Sequence, residues 1–257
     1  MNLNLKNKRV FVSGGSKGIG LAIVRGFLSE GARVALTSRN LESLELTYKS
    51  LKEEFPNSDI LYFGSDATDA KNTSKVFDSI MNEWKGLDIV ISNVGDGRST
   101  QEVLQSEEQF DRSLKINLKS AENVVREFLR TNSEKIGSIC FISSITGLEA
   151  FGAPTDYSVA KAAVIALSKN LARKLAPGIR VNCIAPGNVY SPGGSWDEKI
   201  KSDPKRIASI IENTVPMKRF GTPDEIANVV LFLSSEKASF ITGSCVVVDG
   251  GQTVGNH

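Results

Sequence analysis

Histidine is all but missing from this chain, and the single one is His257. A buried Ser-His-Asp relay or a histidine zinc site therefore has no material to be built from, and no metal is expected. Cysteine is nearly as rare. Cys140, Cys183 and Cys245 are scattered through strand-like apolar runs without a CxxC spacing, as core thiols of a protein kept reduced in the cytoplasm would be. Charge of one sign is not in excess: 31 Lys+Arg oppose 29 Asp+Glu, a formal net charge of +2. That balance argues against a nucleic-acid partner, because phosphate-backbone binders carry a clustered basic surplus. Long hydrophobic runs are missing as well. Residues 229–233 form one of the longest, far below the ~18 to 20 residues that cross a bilayer, so no membrane association is expected. Nothing like a signal peptide precedes the first apolar run, since Lys6, Lys8 and Arg9 lead straight into it. Repeats and internal linkers are not seen either. With 40% hydrophobic and 23% charged residues, the composition is that of a globular protein, and residues 1–257 read as one domain.

What the chain does contain is alternation. Short β-branched runs at 9–13, 33–37, 59–63, 88–92, 137–143, 179–184 and 244–248 are separated by longer stretches of helical pattern. Several runs, such as Val10-Phe11-Val12 and Ile89-Val90-Ile91, are apolar without interruption, as strands buried on both faces are. Strand and helix in strict alternation predict βαβ units: an α/β, doubly wound, Rossmann-type domain with a seven-stranded parallel sheet and helices on both faces. Thr222-Pro223-Asp224-Glu225 reads as a helix start with a capping box. Residues 186–204, with Gly187, Pro192, Gly193 and Gly194 in quick succession, read as the one loop-rich region.

The first strand runs into Ser13-Gly14-Gly15-Ser16-Lys17-Gly18-Ile19-Gly20, and a helical pattern follows. Glycines allow a sharp turn and a close backbone approach to a pyrophosphate, whose charge the free amides of a helix start favour. The spacing of Gly14, Gly18 and Gly20 differs from the common G-x-G-x-x-G fingerprint. It resembles instead the TGxxxGxG loop of the short-chain dehydrogenase/reductase family, with Ser13 in place of threonine. The resemblance spans essentially the whole chain. Asp66 follows the third strand, where the family's aspartate meets adenine. Ser92-Asn93-Val94-Gly95 is similar to the N-N-A-G stretch after the fourth strand, Pro186-Gly187 to the PG turn, and Asp249-Gly250-Gly251 to the family's closing segment. Ser92, Val94 and Ser191 depart from the usual Asn, Ala and Thr. The resemblance implies a nicotinamide cofactor held by Gly14, Ser16, Lys17, Gly18, Ile19, Gly20, Ser38, Arg39, Asp66, Ala67, Asn93, Gly95, Tyr157, Lys161, Pro186, Gly187, Val189 and Ser191. It also implies a catalytic set of Asn117, Ser144, Tyr157 and Lys161.

Tyr157 and Lys161 lie four residues apart in a helical stretch and so project from one face. Free tyrosine, near pKa ~10, is a sluggish proton donor at neutral pH, and a neighbouring ammonium is expected to lower that value. The spacing alone is cheap, because Tyr48–Lys52 repeats it. Context separates the two: Ser144 stands thirteen residues before Tyr157 at a strand end, whereas the equivalent position before Tyr48 is Ala35. By the resemblance, Ser144 orients the carbonyl, Asn117 holds a relay water, and Lys161 also grips the nicotinamide ribose. An intact set of this kind argues against a nucleotide sensor without turnover, which needs no proton relay.

Cofactor choice is read at the end of the second strand. An acid there would bind a free 2′-hydroxyl. This chain has Ser38 and Arg39, and Arg39 together with Lys17 suits a 2′-phosphate, so NADP(H) is expected. The substrate is less legible. The overall pattern is similar to 3-oxoacyl-acyl-carrier-protein reductases, which suggests an acyl-thioester substrate. Arg126, Arg130, Arg173 and Lys174 are candidates for docking an acidic carrier, or simply solubilising charges. The 191–203 segment would better suit a small polar or sugar-derived ketone. Arg98 is a candidate for an anionic group or a solvated loop residue; Trp196 either closes over substrate or packs on its own helix. Apolar residues on several sides of the helices carrying Asn117 and Tyr157 (Val124, Val125, Phe128; Val164, Ile165, Leu167), with the family's habit, predict a homotetramer.

Overall fold

The structure is a computed structural model and describes residues 1–255. His257 lies outside the described residues. Seven strands, β1 (Arg9–Ser13), β2 (Arg33–Ser38), β3 (Ile60–Gly64), β4 (Ile89–Ser92), β5 (Gly137–Ile142), β6 (Ile179–Pro186) and β7 (Cys245–Val248), form one sheet in the order β3-β2-β1-β4-β5-β6-β7. Every neighbouring pair is parallel. The chain starts at the centre with β1, winds out to β3, then crosses back to β4 and winds out to β7. Strand order therefore reverses between β1 and β4, which ends with Ser13 in register with Ser92. Ligands of open α/β sheets bind at the carboxyl edge of such a reversal.

The uninterrupted apolar strands are buried on both sides, as their composition demands. Val10 and Val12 enter one core with α1 (Gly18–Ser29), α2 (Leu41–Glu54) and α9 (Pro223–Ser234). Phe11, between them, points to the opposite core, shared with α3 (Ala70–Trp84), α5 (Ser120–Thr131) and α6 (Thr155–Leu175). The pleat's period of two thus splits one five-residue strand between two helical layers. The predicted capping box exists: Glu225 N–H donates to Thr222 Oγ1 at 3.3 Å, and Thr222 N–H to Glu225 Oε2 at 2.8 Å.

Two expectations need correction. Residues 186–204 are not wholly loop, because α7 (Ser195–Ser202) forms within them and α8 (Pro204–Thr214) follows. Asp197 organises this segment while buried: it accepts from Tyr190 Oη (3.1 Å), Gly193 N–H (2.9 Å) and Lys201 Nζ (2.8 Å). The Asp197–Lys201 pair has helical i, i+4 spacing, but the convergence of Tyr190 and Gly193 on the same carboxylate is not legible among glycines and prolines. The second concerns Val124, Val125, Phe128 and Val164, four of the apolar residues that prompted the tetramer expectation. All four are buried in the chain's own core, because α5 and α6 lie with α3 on one face of the sheet. Among the described residues, no helix is long and apolar enough to cross a membrane. The short helix α4 (Glu107–Leu114) leads through a π-helical turn, Lys115–Lys119, into α5, and that turn carries Asn117.

Candidate active site

At the strand reversal the glycine loop is fastened to the next strand by side chains. Ser13 Oγ donates to Ile91 O (3.3 Å) and accepts from Asn93 N–H (3.0 Å). Asn93 Nδ2 donates to the carbonyls of Ser13 (3.2 Å) and Gly14 (3.0 Å). Serine at 13 therefore supplies the hydroxyl that the family's threonine would. Gly14 (φ +68°) and Gly18 (φ +55°) take left-handed conformations, and a Cβ at Gly20 would lie 2.1 Å from Gly14 O. No side chain caps the start of α1, so its first amides face the loop's concavity, as a diphosphate requires. The residues present fit a dinucleotide.

A cleft of about 600 Å³ opens over this edge. It is lined by Gly14, Ser16, Lys17, Gly18, Ile19 and Gly20 of the glycine loop, and by Ser38 and Arg39 after β2. Asp66 and Ala67 after β3, Asn93 and Gly95 after β4, Tyr157 and Lys161 of α6, and Pro186, Gly187, Val189 and Ser191 after β6 complete the wall. Thr37, Thr68 and Ile116 also line it, and no motif pointed to them. Asp66 is the only acid in that wall among the described residues, and its Oδ1 accepts from Thr68 N–H at 2.9 Å. Arg39 and Lys17 are both exposed.

At the far end stand Ser144, Tyr157 and Lys161. Ser144 Oγ accepts from Thr146 N–H (3.2 Å) and Thr146 Oγ1 (3.0 Å). Both its lone pairs are taken, so its own proton is free to be donated. The Tyr157 phenol stands beside Ser144 in the cleft wall. Burial pushes the phenol above its ordinary value; the Ser144 hydroxyl opposes this, and the charge of Asp96 adds to it. The expected lowering by lysine is overturned: burial dominates, and Lys161 is not among the influences on the phenol. Lys161 Nζ lies 5.7 Å from the ring centroid and donates to Ile142 O at 3.0 Å. Lys161 is itself buried, which pushes its ammonium down to about 8. Ser143 also lines the cleft, but its hydroxyl is committed to Lys161 O at 2.8 Å.

Asn117 is buried and does not line the cleft. Its Nδ2 donates to Asp96 O (3.0 Å) and Ser113 O (3.0 Å), and its Oδ1 accepts from Asp96 N–H (2.9 Å). One lone pair of Oδ1 is left. A Cβ at Gly95 would fall 3.1 Å from that oxygen and 2.9 Å from Lys161 Nζ, so glycine keeps open the space between the two.

Of the two substrate candidates, Trp196 lines the cleft, packed edge-on against Phe220 at 5.3 Å between centroids. Arg98 does not line it. Its guanidinium forks onto Glu198 of α7 at 2.8 and 3.2 Å and lies 3.6 Å from Asp96, so it joins the β4 loop to α7. Arg126 is paired with Glu122, and Arg130 with Asp78 and Glu127. The second tyrosine–lysine pair is structural: Tyr48 packs on Tyr62 at 4.4 Å, and Lys52 donates to the carbonyls of Pro56 and Ser58.

Residues 14–253 match the family model described as Enoyl-(Acyl carrier protein) reductase, and the site has the loop and the Ser-Tyr-Lys geometry described above. The chain belongs to the short-chain dehydrogenase/reductase family, oxidoreductases that use a nicotinamide cofactor on carbonyls and alcohols. Among its relatives, the 3-oxoacyl-[acyl-carrier-protein] reductase FabG of Thermotoga maritima is 31% identical over 254 residues, covering 98% of this chain and 100% of that protein. The 3alpha-hydroxysteroid dehydrogenase of Mediterraneibacter gnavus is 30% identical over 253 residues, covering 97% and 98%. The solved L-sorbose reductase of Gluconobacter frateurii, complexed with NADPH and L-sorbose, superposes with a TM-score of 0.91 at 31% identity, covering 98% of each chain.

Proposed function

We propose that this chain reduces a carbonyl to a secondary alcohol with NADPH, with Tyr157 as the proton donor. The observation that carries this reading is one cleft with two different ends: Ser144, Tyr157 and Lys161 at one, and Lys17, Ser38 and Arg39 at the other. The nicotinamide, when bound, supplies hydride to the carbonyl carbon. The residues do the rest. Tyr157, kept protonated by burial, gives its proton to the carbonyl oxygen, which matches the reductive direction. Ser144 donates its spare proton to the same oxygen and stabilises the charge that develops there. Lys161 returns a proton to Tyr157 and is itself resupplied through the space beside Gly95 that leads to Asn117. The matched model's description names an enoyl reduction, but a serine hydroxyl and a tyrosine converging on one point are chemistry for an oxygen, and so for a carbonyl.

Proton supply from Lys161 has a pH signature. With the ammonium pushed down to about 8 by burial, the charged donor is present below that pH and lost above it. kcat/KM for NADPH, which reports groups of the free enzyme, is expected to fall as pH rises through about 8. The same burial makes the charged form costly to fold. That cost is fully present below pH 8 and is relieved as pH climbs towards the unfolded value. A flat kcat/KM profile from pH 6 to 10 would remove Lys161 from the relay.

For substrate, a 3-oxoacyl thioester is the first choice, supported by the whole-length similarity to 3-oxoacyl reductases. A compact polar ketone is the second. It is favoured by α7, which brings Trp196 to the site while Arg98 and Glu198 tie that helix to the β4 loop. The pairing of Arg126 and Arg130 within the chain also weakens the carrier-docking idea. NADPH oxidation against acyl thioesters, keto-sugars and small ketones decides between them, and activity on none of these would refute carbonyl reduction. We take residues 1–257 as one catalytic domain working in a reducing cytoplasm, in keeping with its three free cysteines. It assembles as a tetramer. With Val124, Val125, Phe128 and Val164 committed to the core, subunit contact falls to exposed Val103, Leu104 and Val159; a monomeric mass by light scattering would contradict it.

A further inference from the structure

We infer that Asp156 is a positioning residue that holds the loop after β4 against Tyr157. The inference rests on the reading of Tyr157 as proton donor. Asp156 lies in the first turn of α6 and is 0% exposed. Among the described residues no lysine or arginine pairs with it. A helix start favours negative charge, but that would be served equally by an exposed aspartate. A buried carboxylate without a counter-ion is tolerated only when hydrogen bonds replace its water, so its partners show what its burial achieves.

Those partners come from the loop and from the helix it covers. Oδ2 accepts from Ser99 Oγ at 2.8 Å, and Oδ1 accepts from Tyr157 N–H at 2.8 Å. The Asp156 N–H donates to Gln105 Oε1 at 3.1 Å. Gln105, itself buried, donates onward to the carbonyls of Thr100 and Glu102. Ser99 Oγ also accepts from Gln109 Nε2 at 3.1 Å. One carboxylate thus links the loop to the backbone of the residue that bears the phenol.

A second clamp lies three residues earlier, where Asn117 grips both the N–H and the C=O of Asp96. Gly97 is strung between the clamps. A Cβ there would meet the Tyr157 ring at 3.5 to 3.6 Å, so its backbone lies against the ring. With both clamps closed, the loop forms a fixed wall that orients the ring towards Ser144 and keeps water off the phenol. The charged groups facing Tyr157 are Lys161 from its own helix and Asp96 from the loop, the latter offset by Arg112 at 2.8 Å and Arg98 at 3.6 Å. Release of the Ser99 clamp admits water and drops the phenol towards its ordinary range.

The test compares Asp156→Ala, Asp156→Asn and Ser99→Ala in the full chain. Three readouts are followed: kcat, the NADPH dissociation constant by fluorescence, and the Tyr157 titration by phenolate absorbance with Tyr157→Phe subtracted. Asp156→Ala and Ser99→Ala are expected to lower kcat about tenfold or more through misplacement of the phenol. NADPH affinity should stay within about twofold, and the titration should move to lower pH. Asp156→Asn keeps one acceptor and gains a donor for Ser99 Oγ, so it should restore most of kcat. An unshifted titration with wild-type kcat in Asp156→Ala, or an asparagine variant no better than alanine, would overturn the inference. Loss of kcat and NADPH affinity in parallel would do the same. If Asp156→Ala does not fold, Ser99→Ala decides, since it removes the clamp without touching a charge. The titration needs no carbonyl substrate. An inactive wild type would therefore count against the proposed reaction, while the phenol's response still decides the role of Asp156.

Discussion

Tyr157→Phe is expected to cost turnover ~10²-fold or more while leaving NADPH affinity nearly intact. The phenol oxygen is the only group removed, and the phenyl ring that Gly97 packs against is kept. Lys161 and the glycine loop, the cofactor-holding groups in the proposed reading, keep their places in the cleft wall. The measurement is a steady-state kcat alongside a direct NADPH titration. Tyr48→Phe, the matched control, should do nothing measurable, because Tyr48 contributes a ring stacked on Tyr62 and lies outside the cleft wall. Substantial kcat in Tyr157→Phe would sink the mechanism. Parallel loss of kcat and cofactor affinity would instead mean that the substitution had disturbed the cleft as a whole.

A comparably large effect is expected from cofactor exchange. Wild type should prefer NADPH, and Ser38→Asp/Arg39→Ile should reverse the order, read as the ratio of kcat/KM for the two cofactors. The second strand ends where the adenosine ribose of a dinucleotide lies. There Arg39 offers a planar fork for a 2′-phosphate, and Ser38 leaves room for it. Aspartate at 38 would accept from a free 2′-hydroxyl and repel a phosphate, and isoleucine at 39 withdraws the cation. Lys17 stays in the variant, so residual NADPH activity measures its share. The solved relatives divide on this point: the sorbose reductase was complexed with NADPH, and a 7 alpha-hydroxysteroid dehydrogenase of similar fold, with a TM-score of 0.89, was complexed with NADH. A wild type that prefers NADH, or a double variant that keeps its NADPH preference, would refute this account of the strand end.

The fold was legible because its signals are local. An apolar run such as Val10-Phe11-Val12 has no stable place except between two helical layers, and seven such runs separated by helical stretches leave a parallel sheet as the solution. The strand ends moved by only a residue or two: β2 extends to Ser38 and β6 to Pro186. Helix α7 lies inside a loop-rich stretch: Asp197 and Lys201 are one turn apart, but that the same carboxylate also gathers Tyr190 and Gly193 is not legible among the glycines and prolines. The apolar residues of α5 and α6 are ambiguous in sequence for a related reason. Sequence shows that a helix is apolar on several sides, but not which of those sides the sheet and α3 cover.

The site divides along the same line. Residue type and spacing alone determined which groups could do the chemistry: a glycine loop without bulk at Gly20, a tyrosine and lysine one turn apart, a serine at a strand end, and a cation where a ribose acid would stand. Only the tertiary structure decided what each group is free to do. It committed Arg98 to Glu198, engaged Asn117 with the backbone of Asp96, buried Lys161 so that its ammonium is pushed down to about 8, and closed Asp156 over Ser99 beside the phenol. The physical reason is that a group's chemical identity is a property of its own atoms. Its desolvation and its hydrogen-bond partners belong to whatever the fold brings against it, here from segments 21 residues away in the case of Asp96 and Asn117 and 100 in the case of Arg98 and Glu198.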